Sequence, residues 1–432
     1  MRHDPIDSAL FVEHRQQLAA KLQPDSVAIV HAADPLTTNG DGAVRYVPAA
    51  DLFWLTGIEQ IESILVLAPD GIHPAHREML FIRKPNANVE TWEGHSLTKE
   101  EAQEISGIDT VLWTEDFSST LHPLLVDATH VFLNTNEHGR ADFEAETRDI
   151  RMARQLVHRY PIHSFQRLAP ILHGLRAVKN PIEVDIIRGA VTITKHGLDK
   201  VLSHLKPGVK EYELEAELIG EFTRQRSIMG YEPIVASGKN ACTLHYIDNT
   251  SVCEEGALLL IDVGANHANY TADVTRVFPV SGRFTPRQKE LYLAVLRVLQ
   301  SSIQRTVVGT NLSQWKWDAQ HQMAEELRAL GLISQEEYES DSMKNPACKK
   351  FFMHGLGHSL GLGVHDPTPM DGPLEAGWVM TVEPGLYLPD EGIGIRLEND
   401  VLVTEDGPVD LCREIPLDPD DVEDWIASSQ NP

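Results

Sequence analysis

Two rhythms of apolar and polar residues run along this chain. From Ser8 to about Leu22 the apolar positions recur at helical spacing, which predicts an amphipathic helix. SVAIVHAA (26–33) reads as a buried strand, and TTNGDGA (37–43) has the composition of a turn. DLFWLTG (51–57), SILVLAPDG (63–71) and EMLFIRK (78–84) predict further strands, and ADFEAETRDIRMARQLVHRY (141–160) a long amphipathic helix that closes this first part. Asn180-Pro181 followed by Glu183 is a helix-start signal, and the helix it opens is expected to reach about Leu205 and stop at Pro207-Gly208. EYELEAELIGEFTRQR (211–226) predicts another helix. Strands and loops alternate from Glu232 to Phe278, and Thr285 with Pro286 opens a long helix as N-cap and first helical residue. SQWKWDAQHQMAEELRAL (313–330) is a further helix ending at Gly331, and the remainder is strand-rich.

The expected fold class is therefore α/β (α+β). A chain of 432 residues exceeds one ordinary core, so two domains are expected, 1–173 and 174–432. Each half of the second carries helices followed by a strand pair bearing carboxylates.

Charge narrows the partners. With 64 acidic and 37 basic residues the formal net charge is −27, a surface that repels phosphate backbones and argues against nucleic acid. Cys242, Cys253, Cys348 and Cys412 lack CxxC spacing, which fits free thiols in a reducing compartment. Neither a signal-peptide core nor a run near the ~18 apolar residues of a membrane span is present, so a cytoplasmic location is expected and no membrane partner.

The candidate chemistry centres on HGLGHSLGLGVHD (354–366), which sets His354, His358 and His365 among glycines. Clustered imidazoles bind metal or move protons, and glycine lets backbone approach a bound group. Two carboxylate pairs accompany them. ALLLIDVGANHANYTADVTRVF reads as a hairpin; a turn centred between His267 and Ala268 pairs residues whose numbers sum to 535 and sets Asp262 opposite Asp273. Bare carboxylates so opposed repel each other, and a cation between them reverses the sign. WVMTVEPG and GIGIRLENDVLVTE supply Glu383 at the end of one strand and Glu398 inside another, with Arg396 on the same face as Glu398. The bland alternative is a structural salt bridge from Arg396 to either glutamate. One imidazole with four carboxylates suits Mn, Fe, Co or Zn, and the ligand count favours two ions over one. His245, in SGKNACTLHY, is a fourth candidate histidine.

On these residues the sequence resembles the pita-bread metallopeptidases, within them the aminopeptidase P (Xaa-Pro aminopeptidase) and prolidase group. The hairpin motif is met by Asp262, Gly264, Tyr270, Asp273, Thr275 and Arg276, and a G-x-N-x4-HY loop by Gly238, Asn240, His245 and Tyr246. Next come His354, Gly355, His358, Gly361, His365 and Asp366, and then Glu383, Pro384, Gly385, Gly392, Gly394, Arg396 and Glu398.

The resemblance implies an amino-terminal aminopeptidase P-like domain before a pita-bread catalytic domain. Asp262, Asp273, His358, Glu383 and Glu398 would hold two divalent ions, most often manganese, with cobalt or zinc as alternatives. A metal-bridging hydroxide would attack the carbonyl before a proline, with Glu383 as general base. His245 and His365 would stabilise the oxyanion or orient substrate, and His354 would line the proline pocket. Tyr231, Tyr387 and Arg396 would line the site. The substrate implied is a peptide with proline second; a strict Xaa-Pro dipeptidase is the nearest alternative, and a metal-free creatinase-like or binding-only member a remoter one. A homo-oligomer, dimer or tetramer, is implied, with Trp92 as an aromatic that reaches the site of its own or of a neighbouring subunit. Two departures stand out: Asn399 where an aspartate often follows the ligand glutamate, and a very short connection from Leu388 to Gly392.

Overall fold

The computed structural model of the protein describes residues 3–140, 145–369 and 372–430. They divide into two compact units, one within 3–176 and the other within 177–430.

In the first unit the strands are β1 (Ser26–His31), β2 (Ile64–Leu67), β3 (Glu78–Ile82), β4 (Thr110–Trp113), β5 (His130–Leu133) and β6 (Ser164–Arg167). They form one sheet in the order β4-β3-β2-β1-β5-β6, with β1–β2 and β2–β3 antiparallel and the other pairs parallel. The helices are α1 (Ser8–Ala19), α2 (Ala50–Thr56), α3 (Ala87–Glu93), α4 (Lys99–Ser106), α5 (Phe117–Asp127), α6 (Arg148–Arg159) and α7 (Ala169–Ala177). Two expectations change here. DLFWLTG is helix α2, not a strand: every residue from Asp51 to Thr56 is buried, so its apolar run has no period to separate the two. Gly57 ends it with φ +68°, and a Cβ there would lie 2.4 Å from the Phe11 ring. The helix expected over 141–160 begins at Arg148, Ala141–Glu144 lying outside the described residues, and β6 and α7 up to Arg176 follow it in the same unit.

His31, at the end of β1, is buried with no hydrogen bond to either ring nitrogen. Burial, helped by the Arg148 charge, pushes its pKa down to about 4. An imidazole whose folded pKa is depressed stabilises the fold above its unfolded value of 6.5, and that contribution is lost as pH falls from there toward 4. His31→Leu therefore gains about 2 kcal/mol of stability relative to the parent between pH 7 and pH 4.5. Paired urea titrations at the two pH values measure this; a pH-independent difference would remove the assignment.

The second unit holds helices α8 (Pro181–His204), α9 (Glu211–Arg224), α10 (Pro286–Gln304), α11 (Leu312–Ala329), α12 (Gln335–Glu339) and α13 (Pro419–Gln430). Its strands are β7 (Ile228–Met229), β8 (Ile234–Ser237), β9 (Leu258–Val263), β10 (Ala265–His267), β11 (Tyr270–Thr271), β12 (Val274–Pro279), β13 (Val379–Val382), β14 (Gly385–Leu388), β15 (Ile393–Arg396), β16 (Asn399–Thr404) and β17 (Gly407–Asp410). They pair as β8-β9-β12, β7-β10-β11, β13-β16-β17 and β14-β15. α8 starts at a capping box in which Asn180 caps Ile182 and Glu183 reaches back to the Asn180 N–H; α10 starts at another, built from Thr285 and Gln288. α13 interrupts the strand-rich ending expected from sequence and buries Trp425 against Phe278.

Candidate active site

The hairpin that carries the aspartates turns at Ala268-Asn269, both at positive φ (49° and 68°), the backbone of a type I′ turn. Paired residues therefore sum to 537, not 535: Asn266 faces Thr271, and Asp262 faces Thr275. Asp262 and Asp273 are not directly opposed, but Asp273 lies two residues from Thr275, a step that keeps it on the face of Asp262. The Tyr231 hydroxyl meets an oxygen of each, Asp262 Oδ1 at 2.6 Å and Asp273 Oδ1. Gly264 makes the fold-back possible, because a Cβ there would sit 1.7 Å from the Ala272 carbonyl oxygen.

The glutamates arrive on the other strand pairs. Glu383 follows β13. Glu398 is not inside a strand as expected; it sits in the break between β15 and β16, fully buried, and accepts a 2.6 Å hydrogen bond from Thr275 Oγ1. His358 Nε2 lies 3.4 Å from Asp273 Oδ2 and 3.8 Å from Glu383 Oε1. Asp273, His358 and Glu398 each offer a ligand atom within 4.8 Å of the others. Glu383 turns its other oxygen to His354 Nδ1 at 3.6 Å, and the His365 ring packs edge-on against His358, centroids 4.3 Å apart.

Burial, together with the neighbouring carboxylates, holds Asp273 and Glu398 far above the usual carboxylate range. Arg396 faces this charge: it ion-pairs with Asp262 at 2.5 Å, not with either glutamate, and bonds Thr275 and the Tyr387 hydroxyl. Burial alone would lower its pKa, but Tyr387, Asp262 and the two glutamates raise it well above its ordinary value. One guanidinium cannot offset four clustered carboxylates, and oxygen donors with one imidazole and no thiolate fit hard or borderline divalent cations.

A second network shapes the rim. Burial, and then Arg396, push the His354 pKa down to about 4. The Gly355 carbonyl, 2.8 Å from Nδ1, can only accept, so neutral His354 carries its proton there. Nε2 then accepts the Tyr387 hydroxyl at 2.8 Å, whose oxygen accepts from Arg396. His245 is exposed. Trp92, in α3 of the first unit, is 89% exposed.

Behind these side chains, sequence reasoning missed Asp400 and Lys179, and it named Asp366 and Asn399 without their partners. Asp400 is buried with its pKa pushed far up by burial; Oδ2 accepts the Asp273 N–H and Oδ1 has no hydrogen-bond partner. Lys179 and Asp366 form a buried ion pair at 3.5 Å inside the histidine loop, where Asp366 also accepts from Gly363 N–H. Asn399 turns away from the carboxylates: Oδ1 accepts from Arg276, and Nδ2 donates to Asp410 at 2.6 Å. An amide does both jobs where an aspartate would set two acids face to face. The short connection is a β14–β15 hairpin whose Gly392 has φ 65°.

Residues 185–405 match metallopeptidase family M24, and residues 11–132 match the aminopeptidase P N-terminal domain. The chain is 34% identical to the Xaa-Pro aminopeptidase of Escherichia coli over 97% of its own length and 98% of that protein's.

The chain belongs to metallopeptidase family M24.

The M24 chain is also 30% identical to the Xaa-Pro aminopeptidase of Haemophilus influenzae, over 96% of each. Its fold matches zinc-substituted E. coli aminopeptidase P in complex with product, with a TM-score of 0.88 at 31% identity, covering 99% of this chain and 100% of that one. It is a metallopeptidase of the aminopeptidase kind, with an aminopeptidase P amino-terminal domain before a pita-bread catalytic domain. None of its described helices is long and apolar enough to cross a membrane.

Proposed function

We propose that the chain releases the first residue of peptides whose second residue is proline. Asp262, Asp273, His358, Glu383 and Glu398 hold two divalent cations, most often manganese. The observation that carries the reading is the convergence of Asp273, His358 and Glu398 within 4.8 Å, in a chain with two full-length relatives that are Xaa-Pro aminopeptidases. Zinc occupies a solved relative by substitution, so the donor type alone does not select manganese.

Bound cations supply Lewis acidity and lower the pKa of water. The chain's own residues do the rest. Glu383 takes the proton of the attacking water and delivers it to the prolyl nitrogen. His365 and His245 donate to the carbonyl oxygen as it gains charge. His354, held neutral, offers the proline ring an uncharged wall, and Tyr387 and Arg396 fix its orientation. Proline makes the scissile bond a tertiary amide without an N–H, so a site that grips the carbonyl is better suited to it than one that grips the amide. The working form is a cytoplasmic homo-oligomer, dimer or tetramer, in which the exposed Trp92 indole is available to a neighbouring subunit.

The test is a peptide panel run on chelator-treated protein resupplied with Mn, Co or Zn. Expected is release of the first residue from Xaa-Pro-Yaa, restored by metal and absent from Xaa-Ala-Yaa. Cleavage of Xaa-Pro dipeptides alone would replace the reading with a dipeptidase, and turnover indifferent to chelation would overturn the metal assignment.

A further inference from the structure

Asn240 and Tyr246 belong to the loop motif around His245, yet neither has a part in the chemistry above. Both converge on one buried side chain. Glu211, the first residue of α9, is fully buried. Its Oε1 accepts the Ser237 N–H at 2.7 Å and Asn240 Nδ2 at 3.0 Å. Its Oε2 accepts the Tyr246 hydroxyl at 2.8 Å and the Ser251 N–H at 2.7 Å. Four donors fill the acceptor positions of one carboxylate. They come from both ends and the middle of the segment 237–251, which Asn240 also ties internally by donating to Ser251 Oγ at 2.8 Å.

His245 itself is exposed, and among the described residues its ring makes no hydrogen bond. No side-chain hydrogen bond therefore orients it, and Glu211 grips the loop on either side of it. We infer that Glu211 is a positioning residue for His245, acting through Asn240 and Tyr246. The inference rests on the peptidase reading, in which His245 meets the substrate carbonyl. Glutamine cannot replace Glu211, because its amide nitrogen would face two donors in one half of the cage.

The experiment is a double-mutant cycle on the full chain supplied with manganese, comparing the parent, Glu211→Gln, His245→Ala and the double variant, with metal content measured for each. Glu211→Gln should lower kcat about tenfold at unchanged metal content, with KM little altered, and the double variant should be no slower than His245→Ala. Tyr246→Phe removes one bond of the cage and should give a smaller loss of the same kind if Glu211→Gln folds poorly. Hydrogen exchange supplies a readout besides turnover: in Glu211→Gln, exchange should quicken over 237–251 and not across β9 and β12. Multiplying losses in the double variant, or unchanged exchange over the loop, overturns the inference. So does a His245→Ala variant as active as the parent, which would leave the metal-dependent peptidase reading intact. A parent with no turnover overturns that reading instead, and the exchange data still decide whether Glu211 holds the loop.

Discussion

Asp273→Ala abolishes metal-dependent peptide hydrolysis, by roughly 1000-fold or more, while circular dichroism stays that of the parent. The size follows from what the substitution removes. Asp273 stands between Tyr231, His358 and the rest of the carboxylate cluster, and its backbone N–H is held by Asp400. Losing a proposed ligand would cost the several kcal/mol of charge stabilisation that metal ions give a transition state, at about 1.4 kcal/mol per decade of rate. The fold should tolerate the change, because it relieves repulsion among buried acids: the raised Asp273 pKa shows that its charged form is disfavoured without a cation. His358→Ala should behave alike. Metal analysis beside the rate measurement is decisive; a variant that keeps most of its turnover with both ions bound would dismantle the ligand set.

Arg276→Met unfolds the catalytic unit more readily, by about 3–5 kcal/mol in urea titration. Arg276 is fully buried. It donates to the carbonyls of Thr275, Glu398, Ile415 and Pro416 and to Asn399 Oδ1. Methionine fills similar volume and satisfies none of these acceptors, each of which then pays its desolvation. The loss should shift the unfolding midpoint of this unit by about 10 °C. A shift under a degree or two would mean that the guanidinium is replaceable by water.

Much of the site was legible because its members break the rules of their surroundings. Carboxylates next to the apolar run Leu258–Ile261, or within a strand-rich stretch, have no business there unless something pairs with them. What was not legible has definite causes. α2 is buried on all sides, so its apolar residues carry no period. The hairpin register depended on Ala268 adopting a positive φ, which its side chain does not advertise. Asn399 could be seen as a departure, but only its contacts show that it serves Arg276 and Asp410. Glu211 was hidden by an ordinary alternative, since a glutamate in a first helical turn is what any helix start favours.

The reach of Arg276 also bears on how the protein is made. Its side chain joins residues 139 and 140 positions further on, and Arg396 joins Asp262 across 134. Contacts so distant in the chain close slowly and late. During synthesis the first unit can fold while the second waits. Ile415 and Pro416 lie beyond every proposed ligand, so Arg276 gains these two acceptors only after all the proposed ligands have been made, and a message cut short before them yields a chain that carries every proposed ligand without that anchor.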